Sequence, residues 1–239
     1  MPITDAHMHV GDFPMFGVNL DESGLEEYLT RNDIDTGMVF HQDNAMVRRV
    51  IQDIPAAYGL YWANPKSPRV VDELRDFLDD PKFRGVKLHP VMDGFHPNDP
   101  IVWPIIELLI ERDLPALIHC GHPIFSLPWS IEELIVQFPE AKIILGHMGH
   151  GNVVYIDASI AVAQRNPNVW LETSGMPMSM KILEAVEKVG SNRVLYGSDG
   201  PWHEPKVEQL KVQLAGLEPD DLENVMHRSS QRLFLKAGI

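Results

Sequence analysis

Most of the eleven histidines in this chain of 239 residues lie where an apolar run ends. His7 and His9 occur in the segment Asp5-Ala6-His7-Met8-His9. Two residues at this spacing in a strand project from the same face. A pair of imidazoles on one face suits metal chelation, but such a pair near a terminus is also typical of solvated polar residues. The elements that carry the other histidines must decide between these two interpretations.

Eight short apolar runs alternate with eight segments of helical periodicity. The strands are predicted at residues 3–10, 34–40, 57–64, 84–89, 116–119, 142–147, 169–173 and 194–198. The helices are predicted at residues 23–32, 45–54, 68–79, 100–112, 128–138, 153–165, 179–189 and 205–214, with a helical tail at 220–236. This alternation predicts a parallel (β/α)8 TIM barrel as a single domain over residues 1–239. A doubly wound sheet is the alternative, but a G-x-G-x-x-G motif after the first strand is absent.

The carboxyl ends of barrel strands form one rim, where catalytic groups converge. Six residues at or near these strand ends could act on a metal or a substrate: His7, His9, Lys87, His119, His147 and Asp199. Lys87 shares a strand face with His89, and a lysine that points into a barrel needs a charge partner or an altered pKa. Imidazoles and a carboxylate without thiolates suit Zn²⁺, Mn²⁺, Fe²⁺ or Ni²⁺. Ligands from several strands leave open coordination positions, as a catalytic metal requires.

The amino-acid composition indicates which classes of binding partner to expect. The formal charge is −14, from 20 basic and 34 acidic residues, and no run of lysine or arginine occurs. We therefore expect a small-molecule substrate, no nucleic acid and no membrane, and we leave a homodimer open. A single cysteine excludes an intramolecular disulfide and fits a reducing cytoplasmic location.

The strand ends resemble those of the amidohydrolase superfamily, and more closely its amidohydrolase-related branch. This branch includes metal-dependent hydrolases, lactonases and non-oxidative decarboxylases. The similarity covers nearly the whole chain and is carried, in this order, by DAHMHV, GVKLHP, ALIHCG, IILGHMG and LYGSDGP.

The resemblance implies that four residues bind or approach a catalytic metal: His7, His9, His119 and Asp199. It implies that His147 is an acid or base in members with one metal and a ligand in members with two. Lys87 lies where the members with two metals carry a bridging lysine carbamate. We expect one ion rather than two, and zinc before manganese, iron or nickel.

Hydrolysis of an amide, ester or lactone by a metal-activated water is the expected reaction, because the chain is short for a decarboxylase of this branch. Asp199 is expected to carry the proton and His147 to stabilise the oxyanion. Substrate contacts are expected from Lys87, His89, His122, His150, Trp202 and His203, with Phe125 and Trp129 as further walls. Two alternatives stay open: a metal-dependent non-oxidative decarboxylase of a small carboxylic acid, and a non-catalytic metal-binding barrel. Few cationic residues lie near the rim, so a monoanion or neutral molecule is favoured over a polyanion.

The assignment of His119 gives a first test. In the variant His119→Ala we expect loss of bound metal and of activity, because the imidazole would be a metal ligand. We expect the fold to stay intact. Metal analysis and circular dichroism check the two expectations. Full activity in this variant would remove the assignment.

Overall fold

Eight parallel strands form the centre of the protein in the computed structural model, which describes residues 1–236. The strands are Thr4–His9, Thr36–Phe40, Ala57–Trp62, Phe83–Leu88, Pro115–His119, Lys142–Gly146, Val169–Glu172 and Val194–Leu195. Their order in the sheet follows their order along the chain, and each strand pairs in parallel with the next. We refer to them as the first to the eighth barrel strand.

The first strand also bonds to the segment that follows the short eighth strand. The Asp199 N–H donates to the His7 carbonyl at 2.8 Å, and the His9 N–H donates to the Gly200 carbonyl at 2.7 Å. Met8 and Gly200 form a parallel bridge at the same place. These bonds bring the ring close to closure and place the Asp199 backbone beside the first strand.

Helices connect the strands in the predicted alternation. They are Glu22–Arg31, Asn44–Ile51, Val70–Leu78, Trp103–Arg112, Pro128–Gln137, Val153–Arg165, Ser179–Val189 and Pro205–Gln213. A helical tail follows as Pro219–Glu223, a π-helical turn Asn224–Arg228, and Ser229–Leu235. The predicted (β/α)8 TIM barrel with a short C-terminal helical tail is confirmed.

Two small elements at the rim were not predicted. A hairpin of Gly11–Phe13 and Val18–Leu20 follows the first strand, and the short helix Pro90–Asp93 follows the fourth. Segments of three or four residues are too short to show a hydrophobic period, so the sequence pattern could not reveal them. Both elements contribute side chains to the cavity described below.

A cluster of buried side chains fills the interior of the ring. It includes Phe40 of the second strand and Ile144 of the sixth, which lie on opposite sides of the barrel. Leu233 and Phe234 of the tail belong to the same cluster. The Gln231 side chain donates to Thr4 Oγ1 at 2.9 Å, at the start of the first strand. The tail therefore closes the end of the barrel opposite the histidine-rich rim.

None of the helices within residues 1–236 has the length and apolar character needed to cross a membrane. That residues 1–239 form one domain stays a prediction, and residues 237–239 lie outside the described part of the chain.

Because the C-terminal tail is buried, shortening one of its side chains is expected to lower the stability of the protein strongly. Phe234 is 0% exposed, so Phe234→Ala is expected to lower the free energy of unfolding by about 3–5 kcal/mol. Urea denaturation followed by circular dichroism measures the loss. Leu214→Ala is the control, because Leu214 is 68% exposed and surface changes usually cost less than about 0.5 kcal/mol. Similar losses in the two variants would contradict the packing role of the tail.

Candidate metal centre and active-site cavity

Three buried donor atoms converge at the rim. His7 Nε2 lies 3.2 Å from Asp199 Oδ1, and His9 Nε2 lies 2.9 Å from the same oxygen. Ligand atoms that share one divalent ion at about 2.1 Å lie roughly 3 Å from one another. Two imidazoles and one carboxylate, with the remaining coordination positions open, are also a donor set that divalent transition metals use. Both the spacing and the chemistry of these residues fit a divalent metal ion.

The protonation states at this site also suit a cation. Burial opposes the ionisation of Asp199, but His7 and His9 outweigh it and hold the pKa of this carboxyl well below its ordinary value. Burial lowers the pKa of His9 to about 4, although Asp199 acts in the opposite direction. Near pH 7 the site therefore presents an ionised carboxylate and a neutral imidazole, the forms that bind metals.

Glu172, which the sequence analysis missed, orients His7. It ends the seventh strand and is fully buried. His7 Nδ1 donates to Glu172 Oε2 at 2.6 Å, and the His147 backbone N–H donates to the same oxygen at 3.1 Å. Burial disfavours the charge, but His7 overcomes it and lowers the pKa of Glu172 to about 2. With Nδ1 of His7 bonded to Glu172, Nε2 is the nitrogen that faces Asp199 and would face a metal ion, as in many carboxylate–histidine–metal arrangements.

A signal for Glu172 was present in the sequence. The segment Val169-Trp170-Leu171-Glu172 places a carboxylate at the end of a strand, as the other site residues are placed. The predicted site consists of strand-end histidines, Lys87 and Asp199 and does not include this glutamate. Its partner, His7, lies 165 residues away, so the pairing itself had no local signal.

Lys87 lies inside the barrel next to the three donors. Its Nζ is 3.1 Å from His7 Nε2 and 4.8 Å from the centre of the Phe40 ring. Burial lowers the pKa of Lys87 to about 8, against the opposing effect of Asp199 and Glu172. The ligand role of Lys87 in a two-metal site, which the resemblance implies, stays a prediction.

His119 belongs to a chain of imidazoles rather than to the three converging donors. His119 Nδ1 lies 2.9 Å from His147 Nε2, and His119 Nε2 lies 2.8 Å from His122 Nδ1. Burial holds the pKa of both His119 and His147 well below the ordinary value. His147 Nδ1 lies 3.0 Å from Ser174 Oγ. The ligand role predicted for His119 therefore stays a prediction, as does the acid or base role predicted for His147.

Aromatic stacking fixes two further rings. Trp202 stacks on His9 with ring centroids 3.6 Å apart and an angle of 14° between the planes. His89 stacks on His119 at 4.1 Å and on Trp62 at 5.4 Å. These contacts hold the imidazoles in defined planes around the site.

A cavity of about 380 Å³ opens beside the candidate metal ligands His7, His9 and Asp199. It is lined by Phe16, His89, Val91, Met92, His119, His122, His147, His150, Asp199, Trp202 and His203. Five of the six predicted substrate-contacting residues are in this lining, and Lys87 is the exception. Phe125 and Trp129, which were expected as walls, are also outside it. Phe16 from the unpredicted hairpin and Val91 and Met92 from the unpredicted helix provide the apolar wall instead.

Several cavity residues lie on strained turns. His147, His150 and Asp199 have φ values of 62°, 58° and 57°. Residues other than glycine rarely adopt this left-handed region, at a cost of roughly 1–3 kcal/mol each, and such residues cluster at functional sites. Here they follow the sixth and eighth strands, where the chain turns sharply at the rim.

A TIM barrel with imidazoles, carboxylates and a cavity at the carboxyl ends of its strands defines the class of metal-dependent barrel enzymes. The family model for amidohydrolases matches residues 5–235, and the chain belongs to this family.

Relatives with a stated activity are decarboxylases. The chain is 24% identical over 143 residues to a gamma-resorcylate decarboxylase from Polaromonas sp. strain JS666, a match that covers 42% of this chain and 44% of that protein. The chain thus spans less than half the length of this curated relative in the match.

Two solved structures share the fold over the whole chain. The 2,6-dihydroxybenzoate decarboxylase from Rhizobium superposes with a TM-score of 0.76 at 15% identity, covering 100% of both chains. The 5-carboxyvanillate decarboxylase from Novosphingobium aromaticivorans, with bound manganese, gives a TM-score of 0.77 at 13% identity, covering 98% of this chain and 96% of that one.

The prediction of hydrolysis is wrong in the light of these relatives, which are decarboxylases. It rested on chain length, and the match covers 96–100% of the two decarboxylase chains, so the length of this chain is no argument against them. Both reactions also use the same kind of metal ligands, and these residues therefore cannot distinguish the two. A divalent metal is supported, whereas the choice of zinc is not, because a structural neighbour holds manganese.

The role of Glu172 can be tested through metal affinity. Glu172→Gln keeps the side-chain shape but removes the charge that His7 Nδ1–H meets, and we expect metal affinity to fall about 10- to 100-fold. Titration with Mn²⁺ against a competing chelator measures the affinity. Glu111→Gln is the matched control, because this carboxylate is exposed in a surface ion pair. Unchanged affinity in the Glu172 variant would refute the orienting role.

Proposed function

We propose that this protein is a metal-dependent, non-oxidative decarboxylase of a small aromatic carboxylic acid. The observation that carries the proposal is the cavity of about 380 Å³, which has Asp199 and six imidazoles on one side and an apolar wall on the other. The decarboxylase activity of the relatives supports the reaction class.

The cavity suits a planar ring with one anionic group. Phe16 and Trp202 lie with ring centroids 4.4 Å apart in its wall and offer a surface on which an aromatic ring can pack. Among the described residues, its lining includes no arginine or lysine. A second ionised group on the substrate would therefore find no arginine or lysine in the lining, and a monocarboxylate is favoured.

His7, His9 and Asp199 would hold one divalent ion, which when bound supplies a positive centre for the substrate carboxylate or an adjacent hydroxyl. Zinc and manganese are both compatible with this donor set. Glu172 keeps His7 in the tautomer that faces the site, and Trp202 fixes the plane of the His9 ring.

In the reaction, the bond between the ring and the carboxylate breaks, its electron pair stays on the ring carbon, and carbon dioxide leaves. That carbon takes up one proton, so the reaction consumes one proton per molecule. Asp199 and His147 both line the cavity and are the proposed carriers of this proton.

The decisive experiment measures carbon dioxide release from 2,6-dihydroxybenzoate by the metal-loaded protein. In heavy water we expect one deuterium at the former carboxylate carbon. We expect Asp199→Asn and His147→Asn to slow release by about 10²- to 10⁴-fold, as the loss of a proton carrier does. 5-Carboxyvanillate, which has two carboxylates, is expected to react more slowly than the monocarboxylate.

Asp76→Asn, which changes an exposed carboxylate at 71% side-chain exposure, is the control and should keep the wild-type rate. The proposal fails if a panel of aromatic carboxylates gives no carbon dioxide, and also if esters, lactones or amides alone are turned over.

A further inference from the structure

We propose that Glu208 is a positioning residue that acts through His203 and Gly175, an inference that rests on the proposed decarboxylation. Glu208 lies on the helix Pro205–Gln213, outside the metal candidates, and is only 7% exposed. A buried carboxylate needs partners, because desolvation of the charge is costly. Those partners show what Glu208 does.

Each oxygen of Glu208 faces a different part of the site. Glu208 Oε1 lies 3.6 Å from His203 Nδ1. Glu208 Oε2 accepts a hydrogen bond from the Gly175 backbone N–H at 3.3 Å and pairs with Lys211. Lys211 in turn donates to the Thr173 carbonyl at 2.7 Å. Glu208 is thus tied to the loop after the seventh strand and lies beside one ring of the cavity.

His203 spans the distance between two carboxylates. Its Nδ1 faces Glu208, and its Nε2 lies 4.0 Å from Asp199 Oδ2. The ring lines the cavity, and its side chain is 37% exposed. With Nδ1 of His203 turned to Glu208, the Nε2 edge of the ring is directed to Asp199.

Gly175 lies behind three imidazoles of the cavity. Its φ is +65°, and a Cβ there would lie 3.0 Å from His203 Cε1, 3.3 Å from His150 Nε2 and 3.4 Å from His147 Nδ1. The rings therefore pack against this backbone, and only glycine leaves room for them without strain. Glu208 accepts a hydrogen bond from the Gly175 N–H. The same carboxylate therefore positions the backbone against which all three rings pack.

A purely structural ion pair between Glu208 and Lys211 would anchor the helix to the loop and leave His203 unaffected. The proposed positioning role instead couples Glu208 to His203. A double-mutant cycle separates these possibilities, because residues that act through one another have non-additive effects.

The kinetic arm uses the metal-loaded protein and carbon dioxide release from 2,6-dihydroxybenzoate. We expect Glu208→Ala to lower kcat/KM by about 10- to 100-fold, the size expected of a misplaced active-site group. We expect the loss in the double variant His203→Ala/Glu208→Ala to be smaller than the product of the two single losses, because part of the effect of Glu208 passes through His203. Losses that multiply in the double variant would overturn the proposal. Glu208→Gln is expected to lose less, since its amide oxygen can serve one of the two partners, and it replaces Glu208→Ala in the cycle if the alanine variant does not fold.

The spectroscopic arm does not depend on turnover. Long-range ¹H–¹⁵N spectra of the zinc-loaded protein report which imidazole nitrogen of His203 carries the proton. We expect the proton on Nδ1 in the wild type and a changed His203 spectrum in Glu208→Ala and Glu208→Gln. Asp33→Asn is the matched control, because Asp33 pairs with Lys206 on the same helix and its side chain is 76% exposed. It should leave the His203 spectrum unchanged.

The two arms distinguish the failure of each proposal. If no carboxylate releases carbon dioxide but the His203 spectrum changes in the Glu208 variants, the proposed function fails and the positioning of His203 by Glu208 stands. If the His203 spectrum is unchanged in both Glu208 variants, the positioning proposal is overturned, whatever the activity.

Discussion

The hydrogen bond from the Asp199 N–H to the His7 carbonyl is the contact on which the site depends. It joins the first strand to the segment after the eighth, and in doing so it brings the Asp199 carboxylate within 3.2 Å of both His7 and His9. The donors come from opposite ends of the chain, 190 residues apart for His9 and Asp199. The candidate metal ligands therefore come together only when the barrel closes, so the site forms as the protein folds.

Burial and charge are balanced within this assembly. Desolvation keeps His9, His119 and His147 neutral, because it lowers the pKa of each imidazole. The carboxylates of Asp199 and Glu172 stay ionised because His7 lowers the pKa of both. Neutral imidazoles next to ionised carboxylates form a ready binding site for a cation, and binding would offset much of the cost of burying those charges.

The cavity wall next to the candidate metal ligands is formed by elements that are too short to show a hydrophobic period in the sequence. The hairpin that carries Phe16 and the short helix that carries Val91 and Met92 form the apolar wall of the cavity. In the proposed function, these elements rather than the metal ligands favour an aromatic acid over an ester or amide. The prediction of hydrolysis relied on ligands that both reactions share and on chain length, and neither could separate the reactions.

The sequence by itself determined the barrel, because eight apolar strands and the helices between them are local patterns of residue type. It also located His7, His9, His147 and Asp199 at the rim, since strand ends are local features as well. Only the tertiary structure decided the pairing of Glu172 with His7, the place of His119 in a chain of imidazoles, and the link from Glu208 to His203 and Gly175. Three of these contacts join residues 28 to 165 positions apart. Their geometry follows from the closure of the ring and from the packing of helices on it, which leave no periodic trace in the sequence.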